Sequence, residues 1–134
     1  MVGQGNATEV SRQIVKRFYE CVVAADFEGA LSCFHPDIEI HEPECLPYGG
    51  MYRGKEGVLK LFGGTVSKLL DVKTLRVDAI IAEGDRVVGI LRVGVVGTSE
   101  PAMVAEEFVI RDGKIFKLNI FYFDPTRVGN AAKR

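Results

Sequence analysis

Residues 102–123 read AMVAEEFVIRDGKIFKLNIFYF, and this stretch decides the fold. Apolar residues recur at every second position on either side of Asp112-Gly113. A period of two is the mark of a strand with one buried face. A two-residue type I′ turn needs positive φ at both centres, which Asp-Gly supplies, so 102–111 and 114–123 are expected to form a β-hairpin. Working backwards, the same period predicts strands near 73–83 and 86–97, set apart by Glu83-Gly84-Asp85 and by Thr98–Pro101. The second half of the chain is thus an antiparallel meander. The glycines Gly89, Gly94 and Gly97 suggest bulges or bends in a strongly curved sheet.

The first half has a helical period. Asn6 with Glu9 resembles a capping box, and Val10, Ile14, Phe18 and Val22 repeat every four residues, so a helix is expected over about 7–24. Asp26 is placed to cap a short second helix through Phe27, Ala30, Leu31 and Phe34, ended by Pro36. Asp37–Glu42 alternates again, with Glu42 on the face of Ile38 and Ile40, and Pro43 ends that strand. Pro43–Gly54 reads as a structured loop carrying Tyr48 and Tyr52. A third helix is expected near Lys55–Leu70, weakened by Gly57, Gly63 and Gly64. The whole is an α+β chain of one domain over 1–134, with an ordered core of about 6–128 and mobile ends.

Composition narrows the function classes. The 134 residues carry 17 basic and 18 acidic side chains, a net charge of -1, with no cationic cluster longer than Lys133-Arg134. Nucleic acid is an unfavoured partner, because phosphate binding needs a concentrated positive field. The longest apolar run, Val87–Val96, is broken by Arg92 and is too short for a membrane span of about 20 residues. The first residues show neither a basic nor an apolar leader segment, so a cytoplasmic setting is expected. Cys21, Cys33 and Cys45 cannot all pair, and His35 and His41 lack the spacing of a metal site, so no metal and no cofactor are expected. Strand 86–97 is apolar on both faces, and a homodimer through the outer sheet face is the economical cover.

Helix, helix, strand, helix and four antiparallel strands describe a cone-shaped, cystatin-like α+β roll: three N-terminal helices packed on a strongly curved, mostly antiparallel sheet. Within it, Arg17-Phe18-Tyr19-Glu20, Ala25-Asp26-Phe27-Glu28-Gly29-Ala30-Leu31 and Ile40-His41-Glu42-Pro43 carry a likeness to a known family. The chain resembles the nuclear transport factor 2-like superfamily, in particular its SnoaL-like polyketide cyclase and ketosteroid isomerase branches.

That resemblance implies site residues. Glu42 falls where those isomerases have the aspartate that moves the substrate proton, and Glu106 where they have the protonated aspartate of the oxyanion hole. Phe18 stands where they have a tyrosine that donates to the oxyanion, a departure that removes one donor; loss of such a donor costs roughly 10²–10³ in turnover. Tyr19 lies on a different part of the expected helix surface, and Tyr122, on the face of Leu118 and Ile120, is the candidate replacement. The resemblance also implies a pocket between helix and sheet, with Phe18, Tyr48, Tyr52, Phe62, Phe108, Leu118, Ile120 and Tyr122 as candidate lining.

The residues themselves support the two carboxylates. Glu106 alternates with Val104, Phe108 and Ile110, which places it, and not Glu107, among apolar neighbours. Burial and a second carboxylate both raise a carboxyl pKa. One neutral acid beside one ionised base suits proton transfer next to a carbonyl. Plainer readings stand beside this one: Glu42 solvated at a strand end, Glu106 in an ion pair with Arg92, and the aromatic residues as core. The expected function is accordingly the binding of a small hydrophobic molecule, with cofactor-free isomerase, cyclase or hydratase chemistry; the alternative is a binding or dimerisation module without chemistry.

Overall fold

The chain was analysed as a computed structural model that describes residues 4–132. Its elements run α1 (Gln4–Val23), α2 (Phe27–Ser32), β1 (Phe34–Glu42), β2 (Gly50–Arg53), α3 (Gly54–Phe62), α4 (Thr65–Leu69), β3 (Leu70–Glu83), β4 (Arg86–Val95), β5 (Ala102–Arg111), β6 (Lys114–Tyr122) and α5 (Pro125–Ala132). The six strands form one sheet in the order β2-β1-β6-β5-β4-β3. The β1–β6 pair is parallel and the other four pairs are antiparallel.

The meander follows the period of two. Asp112 and Gly113 both have positive φ, +53° and +73°, as the tight hairpin requires. In β4, Val87, Gly89, Leu91, Val93 and Val95 face the core and the intervening residues face out. The irregularities expected in β4 lie instead in its partner β3, between Asp71 and Arg76 and between Val77 and Ala79. Extra residues in β3, at the sheet edge, bend the sheet while β4 keeps its register.

Helix α1 lies on the concave face. It begins before Asn6, so Asn6 is not its cap, and Glu9 bonds Arg12 and Gln13 within the helix instead. Its buried stripe runs through Ser11, Val15, Phe18 and Tyr19, with Ile14 and Val22 half-buried, while Val10 is exposed. This is a rotation of the expected stripe by about one position. It matters for the site, since an apolar stripe wider than about 100° takes in both Phe18 and Tyr19.

Asp26 caps α2 as its position suggests, accepting from the Gly29 N–H at 2.9 Å. The helix stops before Pro36, however, and Phe34, His35 and Pro36 already belong to β1. The register of β1 against β6 shifts between Phe34 and Glu39, an irregularity that accommodates a proline without an N–H to donate. The loop after Pro43 contains a short edge strand, β2, antiparallel to the end of β1. The single helix expected over 55–70 is two, broken at Gly63-Gly64. Two adjacent glycines, each costing about 1 kcal/mol relative to alanine, make this the weakest point of the segment.

The tail after Val128 was expected to offer little to dock; a helix runs over 125–132, and Val128, the last residue of the expected core, is fully buried. Asp124 accepts from the Thr126 N–H and Pro125 takes the first helical position, a start signal in residues that read first as a strand terminator. Residues 1–3 and 133–134, part of the ends expected to be mobile, lie outside the described residues. No helix among the described residues is long and apolar enough to cross a membrane.

Candidate functional site

The meander register builds the floor of the cavity. Gly89, Glu106 and Ile120 are aligned across β4, β5 and β6, and Leu91, Val104 and Tyr122 form the next row. Row by row these side chains point to the concave side. Ile40 of β1 is aligned with Leu118 of β6, so Glu42, two residues on, comes level with Ile120. Glu42 and Glu106 thus stand on strands β1 and β5 on either side of β6, about 10 Å apart in backbone. A cavity of about 70 Å³ receives both, together with Tyr19, Tyr122 and apolar walls from α1, α3, α4 and β4.

The two carboxyls have different surroundings. Glu42 is 3% exposed, and its Oε1 has no hydrogen-bond partner among the described residues. Burial, and secondarily the charge of Glu106, push its pKa up to about 8. Glu106 accepts a hydrogen bond from the Tyr19 hydroxyl at 2.8 Å. Burial pushes its pKa up to about 7, with the Tyr19 bond pulling the other way. Arg92 does not reach Glu106: its guanidinium pairs with Asp78 at 2.9 Å on the outer side of the sheet. Among the described residues no Lys, Arg or His lines the cavity.

Tyr19 is the residue the sequence reading passed over. Its ring packs edge-on against Phe108, with centroids 5.6 Å apart, and lies over Gly89, where any Cβ would strike it. Phe18, one position earlier, forms part of the wall and packs on Phe34 and Phe108. The signal available in sequence was the glycine itself, on the inward face of the expected strand; its place opposite Glu106 comes from the register of the folded sheet. A missing side chain beside a buried acid leaves room for something from the helix.

Of the other expected pocket residues, Phe62, Ile120 and Tyr122 line the cavity. Tyr122 does not turn to Glu106; its hydroxyl is bonded to that of Tyr48 at 2.7 Å. Tyr48 and Tyr52 lie behind the wall as a support, with the Tyr52 hydroxyl donating to the Tyr48 carbonyl at 2.8 Å. Phe108 and Leu118 are fully buried one row deeper and are core, not lining. The aromatic and branched side chains of that deeper row close on one another, which removes the space a ligand would need. His41 points outward and faces Glu44 at 3.2 Å. Among the described residues no group of three or more His, Cys, Asp or Glu is placed to hold a metal ion.

A wider groove, about 440 Å³, runs between the ends of β1 and β6 and the start of α5, and His41, Glu44, Asn119 and Phe121 carry it onto the outer sheet face. That face bears a cross-strand row of Ile90, Ala105 and Phe121, the last 56% exposed, with Met103 beside it.

Known proteins match this chain along most of its length. The family model of the SnoaL-like domain matches residues 15–118. An uncharacterized protein of Mycobacterium tuberculosis (strain H37Rv) is 25% identical over 115 residues, covering 84% of this chain and 88% of its own. The crystal structure of an NTF2-like protein from Burkholderia thailandensis superposes with a TM-score of 0.82 at 26% identity, covering 92% of this chain and 98% of its own. The crystal structure of TerC co-crystallized with polyporic acid superposes with a TM-score of 0.79 at 25% identity, covering 93% and 99%.

Proposed function

The chain belongs to the SnoaL-like domain family, and on that premise we propose that it binds a small hydrophobic carbonyl compound and moves a proton on it by cofactor-free acid–base chemistry. Isomerisation, cyclisation and hydration are the reactions this chemistry serves. The observation that carries the reading is the pair Glu42 and Glu106 in one apolar cavity, both with raised pKa and with no cation among the described residues that line it. Near neutral pH such a pair holds one proton more than two ordinary carboxylates would. One member can then abstract a proton from the carbon next to a carbonyl while the other donates to the oxygen on which the electron pair arrives. That TerC, a similar structure, was co-crystallized with polyporic acid supports a small-molecule occupant.

The cavity of about 70 Å³ has room for roughly two waters and is well below the 300–1,000 Å³ of drug-sized sites, so the substrate is small or displaces a wall residue such as half-buried Phe62. The same closeness favours the second reading, a binding or dimerisation module of the fold. A homodimer through the outer sheet face belongs to either reading and is supported by the row Ile90, Ala105 and Phe121. The decisive experiment screens small ketones, enones and quinones for thermal stabilisation, then follows solvent deuterium into the bound compound by NMR. Ligands whose C–H next to the carbonyl exchanges with wild type, and measurably more slowly or not at all with Glu42→Gln or Glu106→Gln, are expected. Binding with no exchange in the wild type would leave the module reading in place.

A further inference from the structure

We infer that Glu106 is the carboxylate that takes the substrate proton and that Glu42 is the carboxylic acid that donates to the carbonyl oxygen. This is the reverse of the roles the family resemblance carries over, and it rests on the acid–base reading proposed above.

The argument is one of hydrogen-bond bookkeeping. A phenol has a single proton, and the Tyr19 hydroxyl directs it at Glu106 Oε1, 2.8 Å away. A donor of this kind stabilises an ionised acceptor more than a neutral one, and charge-assisted bonds are about twice as strong as neutral ones. The bond comes preorganised, since the ring is held against Phe108 and over the bare backbone of Gly89. Glu42 has no such support. It is buried, its Oε1 is unpartnered, and the groups that face it are Glu106 from β5 and three phenols. Tyr52 spends its proton on the Tyr48 carbonyl, one of the Tyr48 and Tyr122 hydroxyls donates to the other, and among the described residues none of the three phenols is bonded to Glu42 Oε1. A charge on Glu42 would be buried with no Lys, Arg or His among the described residues lining the cavity to offset it. Glu106 is faced by Tyr19 from α1, Glu42 from β1 and Tyr122 from β6, and of these Tyr19 donates to it directly. One proton shared by the pair therefore resides on Glu42.

The proposed step balances. Glu106 removes the proton from the carbon beside the carbonyl, the C–H electron pair becomes a C=C bond as the C=O π pair moves onto oxygen, and Glu42 hydrogen-bonds or protonates that oxygen. In an isomerisation Glu106 then returns its proton to a second carbon and Glu42 recovers its own, leaving both groups as they began.

Carboxyl-detected NMR of the full chain labelled with ¹³C-glutamate tests this without a substrate. Each carboxyl is assigned by through-bond correlation to its own backbone, so no assignment depends on a variant. Glu106 is expected to ionise at lower pH than Glu42, both above the ordinary carboxylate range. Tyr19→Phe is expected to weaken Glu106 as an acid by roughly tenfold to hundredfold, closing or inverting the gap to Glu42. Glu42 ionising first in the wild type would overturn the assignment while leaving the acid–base reading standing, as would a Tyr19→Phe protein in which neither midpoint moves. Both groups ionising near the ordinary value of about 4.3 would overturn the assignment and the acid–base reading together.

Discussion

Gly89→Ala is expected to disable the site from a position that carries no chemistry. A Cβ built on Gly89 would strike the Tyr19 hydroxyl and lie 2.8 Å from ring atoms Cε2 and Cζ, inside the 3.0 Å below which such contacts are not found. The ring cannot tilt away freely, because Phe18 and Phe108 hold it with centroids 5.7 and 5.6 Å distant. Two costs follow. Overpacking a close-packed core costs about 1–3 kcal/mol. Moving the hydroxyl away from Glu106 forfeits a bond to a charged acceptor, worth about 1.5–3 kcal/mol at a pH where Glu106 is ionised. Partial relief of each makes about 2–4 kcal/mol the expected total, measured as a fall in urea midpoint at unchanged slope. The same loss should raise the Glu106 midpoint in carboxyl-detected NMR by one to two pH units, at about 1.36 kcal/mol per unit. Gly94→Ala on the same strand is the control: its Cβ would meet Thr74 Oγ1 at 2.7 Å, away from the cavity, so it is expected to cost stability without moving Glu106. In a Tyr19→Leu background the penalty of Gly89→Ala should shrink, because residues in contact are not additive. A Gly89→Ala protein with stability within about 0.5 kcal/mol of wild type and an unmoved Glu106 would refute the reasoning.

The acids also set a pH dependence. Both native pKa values lie above the ordinary carboxyl value, so between about 4.5 and 8 the folded state binds more protons than the unfolded one, and stability is expected to fall as pH rises through that window. Urea unfolding at a series of pH values checks this, and in Glu42→Gln the slope should be visibly shallower; equal slopes would count against a proton held by Glu42. Ile90→Glu is expected to convert the proposed dimer to a monomer, since a charge buried without a partner costs several kcal/mol; light scattering showing a wild-type monomer at micromolar concentration would end the proposal. Asp26→Ala removes the acceptor of the Gly29 N–H and is expected to cost about 1 kcal/mol in urea unfolding, whereas an unchanged midpoint would mean α2 is held by packing alone.

What the sequence by itself determined rests on a local period or a local turn. Alternation fixes which side of a strand a residue faces, so Glu42 beside Ile38 and Ile40, and Glu106 beside Val104 and Phe108, were legible as inward acids before any coordinates. Asp112-Gly113 and the Asp26 cap were legible because the φ angles and the hydrogen bond they need are satisfied within a few residues. Edge strand β2, the break at Gly63-Gly64 and the docking of α5 through Val128 were not, since each is decided by packing against distant elements. The same holds for the inner face of α1. A turn of 100° per residue makes Phe18 and Tyr19 near neighbours on the helix, and sequence cannot say which of them reaches Glu106. Only the tertiary structure decides that, because the choice depends on where α1 crosses β4 and on the empty place at Gly89. Tyr19 passes over that gap to an acid 87 positions further along the chain.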